Sequence, residues 1–182
     1  MKRCSLVATL VVLIAGFFAS SIVADDRRDH DTLVKFKGGI GVHPISNVTV
    51  VAGPPLAVTV TQNIVRGVNP AGQLWVIDKL DAKVKTNGDI KVKGKGLILA
   101  GGDNAGRATG QFVFATLICE AAPGPFTERN TNLTGVPLSP EGDFEIDDLL
   151  MPLPGIECAS PMLLIRNASG QTWFAVGILD LD

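Results

Sequence analysis

The chain has 182 residues, with 16 Lys+Arg against 18 Asp+Glu and a net charge of −2. That mild acidity gives no electrostatic reason to expect nucleic-acid binding, and the complete lack of tyrosine argues against an aromatic sugar-binding or antibody-like surface. Twenty glycines and eleven prolines among many Val, Ile, Leu and Thr residues point instead to short strands joined by tight turns.

The N-terminus carries an address. Lys2 and Arg3 precede an apolar and small-residue run over residues 6–19, and Ala19-Ser20-Ser21 and Ile22-Val23-Ala24 offer small-residue cut sites. This order predicts a cleaved secretory signal peptide over 1–24, with cleavage after Ala24. An uncleaved anchor is the alternative, since about twenty apolar residues span a bilayer; the apolar run is nearer the length of a signal-peptide core. Removing the leader takes Lys2, Arg3 and Cys4 with it. The remainder has 14 basic and 18 acidic residues, a net charge of −4, and no reason for stable membrane insertion. The expected location is secreted or extracytoplasmic, periplasmic or extracellular.

Residues 25–32 are charge-dense and nearly free of apolar side chains, and are expected to form a disordered lead-in. Residues 33–182 are expected to form one β-rich domain, since about 150 residues suit a single core. Extended runs fall at 33–37, 47–51, 57–65, 74–86, 89–100, 111–119, 134–138, 143–149, 162–166 and 172–179, punctuated by Gly, Pro and Asn. Some ten strands at this spacing predict an all-β fold, an antiparallel β-sandwich or partly closed barrel of about 8–10 short strands.

The run 74–100 is expected to be a long hairpin. A three-residue loop Thr86-Asn87-Gly88, with Gly88 left-handed, pairs Lys85 with Asp89 and Val84 with Ile90. Carried back, this register pairs Ala82 with Val92, Val76 with Ile98 and Leu74 with Ala100 on one face. On the other it pairs Lys83 with Lys91, Asp81 with Lys93, Lys79 with Lys95, Ile77 with Leu97 and Trp75 with Leu99. The root is apolar on both faces and the tip is lysine-rich on one, so the tip is expected to project into solvent. Residues 111–119 are apolar on both sides, Phe112, Phe114 and Ile118 against Val113, Ala115, Leu117 and Cys119, as in a central strand. Cys119 and Cys158, the only cysteines after the leader, are expected to form a disulfide. Closing a loop of about 40 residues stabilises by roughly 4 kcal/mol on the chain-entropy model.

Chemical motifs are scarce. His30 and His43 are the only histidines, and no Gly-x-Ser-x-Gly elbow or paired His/Cys zinc spacing occurs. The acidic stretch 141–148 alternates carboxylates with Phe144 and Ile146, the pattern of a half-exposed strand, and lacks the order of a calcium loop. The glycine-rich stretches 88–96 and 101–110 lack the spacing of a phosphate loop; Asp103 and Arg107 are the polar side chains of the second suited to touching a ligand. Trp75 and Trp173 fit core packing, Trp173 with a partly uncovered face. No motif calls for a cofactor or metal.

The lysines at 79, 83, 85, 91, 93 and 95 form the most distinctive candidate surface. The candidate binding residues are Lys83, Lys91, Lys93 and Arg107, and the candidate partners are an anionic surface, a glycan or a protein rather than nucleic acid. A simpler role for the lysines is to keep an exposed hairpin soluble and discourage edge pairing. The expected function is a non-enzymatic binding or surface-interaction module. Alternatives are a small extracytoplasmic hydrolase using carboxylates or His43, and a carrier of a small apolar ligand.

Overall fold

The computed structural model describes residues 31–120, 125–155 and 157–181. The leader expected over 1–24 and residues 25–30 of the lead-in lie outside the described residues. Among the described residues there are thirteen strands and no helix: β1 (Thr32–Gly41), β2 (Ile45–Val51), β3 (Ala57–Gln62), β4 (Trp75–Val76), β5 (Lys79–Lys85), β6 (Asp89–Lys95), β7 (Ile98–Leu99), β8 (Phe112–Glu120), β9 (Phe126–Asn130), β10 (Val136–Pro137), β11 (Phe144–Leu149), β12 (Ala159–Asn167) and β13 (Trp173–Asp180).

Nine strands build one antiparallel sheet in the order β10-β8-β12-β13-β1-β5-β6-β11, with β9 also paired to β8. The pairs β2–β3 and β4–β7 form separate two-stranded sheets. The large sheet curls into a half-barrel, and polar contacts bridge its two ends. Asn130 and Met151 exchange backbone hydrogen bonds of 2.9 Å, and the Asp148 carboxylate accepts from the Asn132 amide at 2.7 Å.

Alternation decides what fills this fold. On β5 and β6, Leu80, Ala82, Val84, Ile90 and Val92 turn inward and are buried, joining Phe36, Phe144, Ile146, Leu117, Leu163 and Ile165 in the core. β8 is buried on both sides from Val113 to Cys119, as a central strand must be. Phe112 departs from that pattern and is half exposed, because it stands at the strand end. The chain between β3 and β4 reaches β8 and β12 through Arg66. There the Arg66 guanidinium donates to the carbonyls of Ile118 (3.1 Å) and Ser160 (2.6 Å). Cys119, buried at the end of β8, is bonded to Cys158 with a Cα–Cα distance of 5.0 Å.

The hairpin has the expected register, including Lys79↔Lys95, Asp81↔Lys93, Lys83↔Lys91, Val84↔Ile90, Trp75↔Leu99 and Val76↔Ile98. Gly88 occupies the left-handed region at φ +91° and its amide closes the turn onto the Lys85 carbonyl at 3.0 Å. Two features differ from expectation. The ladder breaks between the two halves, where Leu97 turns its amide to the Gly142 carbonyl (3.0 Å) and Gly96 donates to Asp143 (3.1 Å), so Ile77 and Leu97 do not pair. The tip does not project into solvent: β5 is paired on its outer side with β1, and β6 with β11. The lysines therefore guard no free edge, because their strands lie inside the sheet. At the start of the described chain, the Asp31 carbonyl accepts from the Thr86 amide and Thr32 opens β1.

Candidate functional site

Strand pairing gathers the lysines more completely than the hairpin alone suggests. All eight lysines after Lys2 lie on β1, β5 and β6, three neighbouring strands. Their register places them on one face, opposite to the buried side chains. One cross-strand row reads Asp180, Lys35, Lys83, Lys91, Asp147; the next reads Lys37, Asp81, Lys93, Glu145. Lys79 and Lys95 pair with each other beyond these rows, and Lys85 faces Asp89 at the turn.

The spacing follows from sheet geometry. Adjacent strands stand about 4.8 Å apart and same-face residues along a strand about 7 Å apart, so the lysines spring from a regular lattice of backbone positions. Two neighbouring charges at roughly 5 Å in bulk water repel by only about 0.8 kcal/mol, which the sheet tolerates. A shallow, open depression of about 370 Å³ lies on this face, lined by Lys35, Lys37, Asp81, Lys83, Lys91 and Lys93 with Asp180.

Carboxylates are interleaved with the lysines: Asp81 stands within the second row, and Asp180, Asp147 and Glu145 stand at row ends. Lys91 meets Asp147 at 2.7 Å and Lys93 meets Glu145 at 3.3 Å, both pairs exposed. The hydrogen bond and charge of Asp147 raise the Lys91 pKa above the ordinary lysine value. At the turn, the Asn87 side-chain amide donates to Asp89 at 2.9 Å, and that bond, with the nearby Lys85, lowers the Asp89 pKa. Lys83 forms no ion pair among the described residues and sits at the centre of the first row.

Arg107 is not part of this face. It lies on the loop after β7, beside Leu138 and Pro140 in a separate depression. The other candidates are tied down locally. The His43 ring is exposed and its Nδ1 faces the Ile45 carbonyl at 2.8 Å. In the acidic stretch, Asp143 accepts from Gly96, Asp148 from Asn132 and Leu149, and Glu145 and Asp147 pair with lysines. No group of three or more His, Cys, Asp or Glu side chains converges for a metal among the described residues. Trp75 and Trp173 are both buried; the Trp173 indole donates to the Asn63 carbonyl at 3.0 Å, which corrects the expectation of a partly uncovered ring.

A second concavity, of about 320 Å³, is lined by the amides Gln73, Asn104, Gln111 and Asn167 above the stacked rings of Trp75 and Phe174. No ionisable group lines it, so it offers hydrogen bonds but no proton transfer. Sequence reasoning missed Lys35, Lys37 and Asp180, and it read the β11 carboxylates as the outer side of a half-exposed strand without placing them beside the hairpin, because that adjacency is a product of sheet order. Comparison with known protein families, with curated proteins and with solved structures found no match to this chain.

Proposed function

We propose that this protein is an extracytoplasmic, non-enzymatic β-domain that docks through its lysine face onto an anionic polymer, of which a glycan bearing sulfate, phosphate or carboxylate groups is the fitting class. The observation that carries this reading is the confinement of every lysine after Lys2 to one face of three adjacent strands in a chain of net negative charge. A disulfide in an all-β fold is compatible with an exported protein, and the leader pattern of residues 1–24 supports export by secretion.

The residue type matters as much as the number. Lysine presents a compact, strongly hydrated charge without the fixed fork of arginine, so a lysine lattice reads charge density and spacing more than the shape of one group. A repeating polyanion offers that same periodic charge. The one aromatic residue lining the depression, Phe36, is buried and offers no stacking platform, which fits an extended polymer lying across strands better than an unstacked nucleic acid. Opposing charge on this face also steers the encounter, so association should slow and weaken as salt rises.

Retention of the purified protein on immobilised dextran sulfate tests the proposal. The wild-type protein is expected to bind and to elute with salt. Replacing Lys83, Lys91 and Lys93 by Glu should weaken binding by at least about tenfold, or roughly 1.4 kcal/mol; because it also sets like charges against Asp147 and Glu145, its melt should stay cooperative but fall somewhat below the wild type. Equal retention of the triple variant would refute the lysine face as the site.

A further inference from the structure

The amide-lined cleft beside Trp75 and Phe174 contains a relay of side chains whose orientation is forced. It starts at the Gly170 backbone amide, which can only donate and is bonded to Asn167 Oδ1. The Ser169 hydroxyl donates to the same oxygen at 3.1 Å. Asn167 is only 5% exposed, and its Nδ2 must point the other way, where it donates to Gln111 Oε1. That bond orients Gln111 in turn, so its Nε2 carries two hydrogens and no acceptor among the described residues.

The other polar groups of the lining are Gln73, Asn104, Thr109 and Thr172, whose side chains have no hydrogen-bond partner among the described residues. The segments that carry them are nevertheless held. The Ala71 amide donates to the Trp173 carbonyl at 3.1 Å, and the Gly106 amide to the Leu99 carbonyl at 2.8 Å. Thr109 lies in the left-handed region at φ +55°, which a β-branched residue seldom enters. Strain of that kind survives where the surroundings fix a position, and it clusters at binding sites. The remaining lining is apolar, chiefly Trp75, Leu99 and Phe174, with the two rings stacked at 4.1 Å between centroids.

We infer that this cleft binds one neutral sugar ring, a pyranose. Its volume of about 320 Å³ stands at the small end of ligand sites, which suits a single ring. A pyranose has a rim of hydroxyls that both donate and accept, and a C–H face suited to aromatic carbon. The cleft supplies the complement, amides and hydroxyls around an apolar base. No charged side chain lines it to offset the desolvation of an ionic ligand. A peptide is a poorer occupant, because it adds to a free strand edge. Here the Trp75 amide is taken by the Val42 carbonyl, and Leu99 by the Arg107 carbonyl and the Gly106 amide. The cleft shares no residue with the depression on the lysine face, so the inference does not rest on polymer binding.

NMR spectra of the isotope-labelled protein test this, recorded with methyl glycosides of glucose, galactose, mannose and N-acetylglucosamine from about 1 to about 50 mM, a range chosen for weak binding. At least one glycoside should give saturable shifts at the Trp75 indole and at the Gln73, Asn104 and Gln111 side-chain amides. Added salt should leave its affinity unchanged, because the ligand carries no charge. Gln111→Ala should weaken binding by about tenfold. Asn104→Ala, whose lost side chain has no protein partner, should weaken it also while keeping the wild-type melting temperature. No saturable shift with any of the glycosides would overturn the inference. So would wild-type affinity in both alanine variants, or shifts at these groups given only by capped trialanine. The lysine-to-glutamate triple variant should bind the glycoside as the wild type does, which separates a failure here from a failure of the polymer site.

Discussion

Asp89 shows how the turn of the hairpin is held chemically. Its backbone amide donates to the Asn87 side chain, which in turn donates to the Asp89 carboxylate. Because that bond favours the charged form, the folded-state pKa lies below the ordinary Asp value. The linked stability is present above the unfolded pKa of about 3.9 and disappears as pH falls through the lower folded value. An NMR titration of the carboxyl carbon should show a depressed midpoint, and Asn87→Ala should move it back upward. For Lys91 the sign is opposite: its pKa is raised by Asp147, so the contribution holds below the usual lysine range and is lost as pH climbs through the folded value. Arg166 is a buried counterpart. Its guanidinium is nearly covered, reaches Glu128 at 2.7 Å and donates through Nε to the Gln171 carbonyl at 2.9 Å. Glu128→Gln removes the compensating charge and should cost about 1–3 kcal/mol, seen as a lower urea midpoint.

At the scale of elements, the β6–β11 pairing depends on a missing side chain. A Cβ on Gly94 would lie 2.0 Å from the Phe144 ring, so the ring packs directly on backbone. Gly94→Ala should destabilise by about 1–3 kcal/mol, measured by chemical denaturation, and the penalty should shrink in a Phe144→Leu background. The hairpin register was legible in sequence because only a three-residue loop keeps the faces of 79–85 and 89–95 in agreement. Its neighbours were not legible: β1 lies beside β5 and β11 beside β6 through long-range pairing, which local alternation does not encode. That is why Lys83, Lys91 and Lys93 could be named from the sequence while Lys35 and Lys37 could not. The strand β9, Phe-Thr-Glu-Arg-Asn, lacks apolar alternation and exists by pairing to β8. The two strands of the exposed β2–β3 ribbon could be read from their Val/Thr alternation, but that pattern marks a face suited to burial and says nothing of whether the molecule supplies a cover.

For the whole molecule, two constraints hold the half-barrel and leave the outer face of β1, β5 and β6 open. The core fills the inside of the curl, and the Cys119–Cys158 bond, 39 residues apart, ties the end of β8 to the entry of β12. Replacing both cysteines by Ala should lower stability by roughly 4 kcal/mol on the chain-entropy model, read as a lower denaturant midpoint. The lysine face lies over another part of the sheet, on β1, β5 and β6, so this loss should leave the proposed polymer binding intact in the protein that remains folded. The most direct measurement is acetylation footprinting of the lysines with and without dextran sulfate. Protection concentrated at Lys35, Lys83 and Lys91, relieved as salt rises, is the expected result. Unchanged reactivity of these three lysines with the polymer bound would contradict the lysine face as the functional surface.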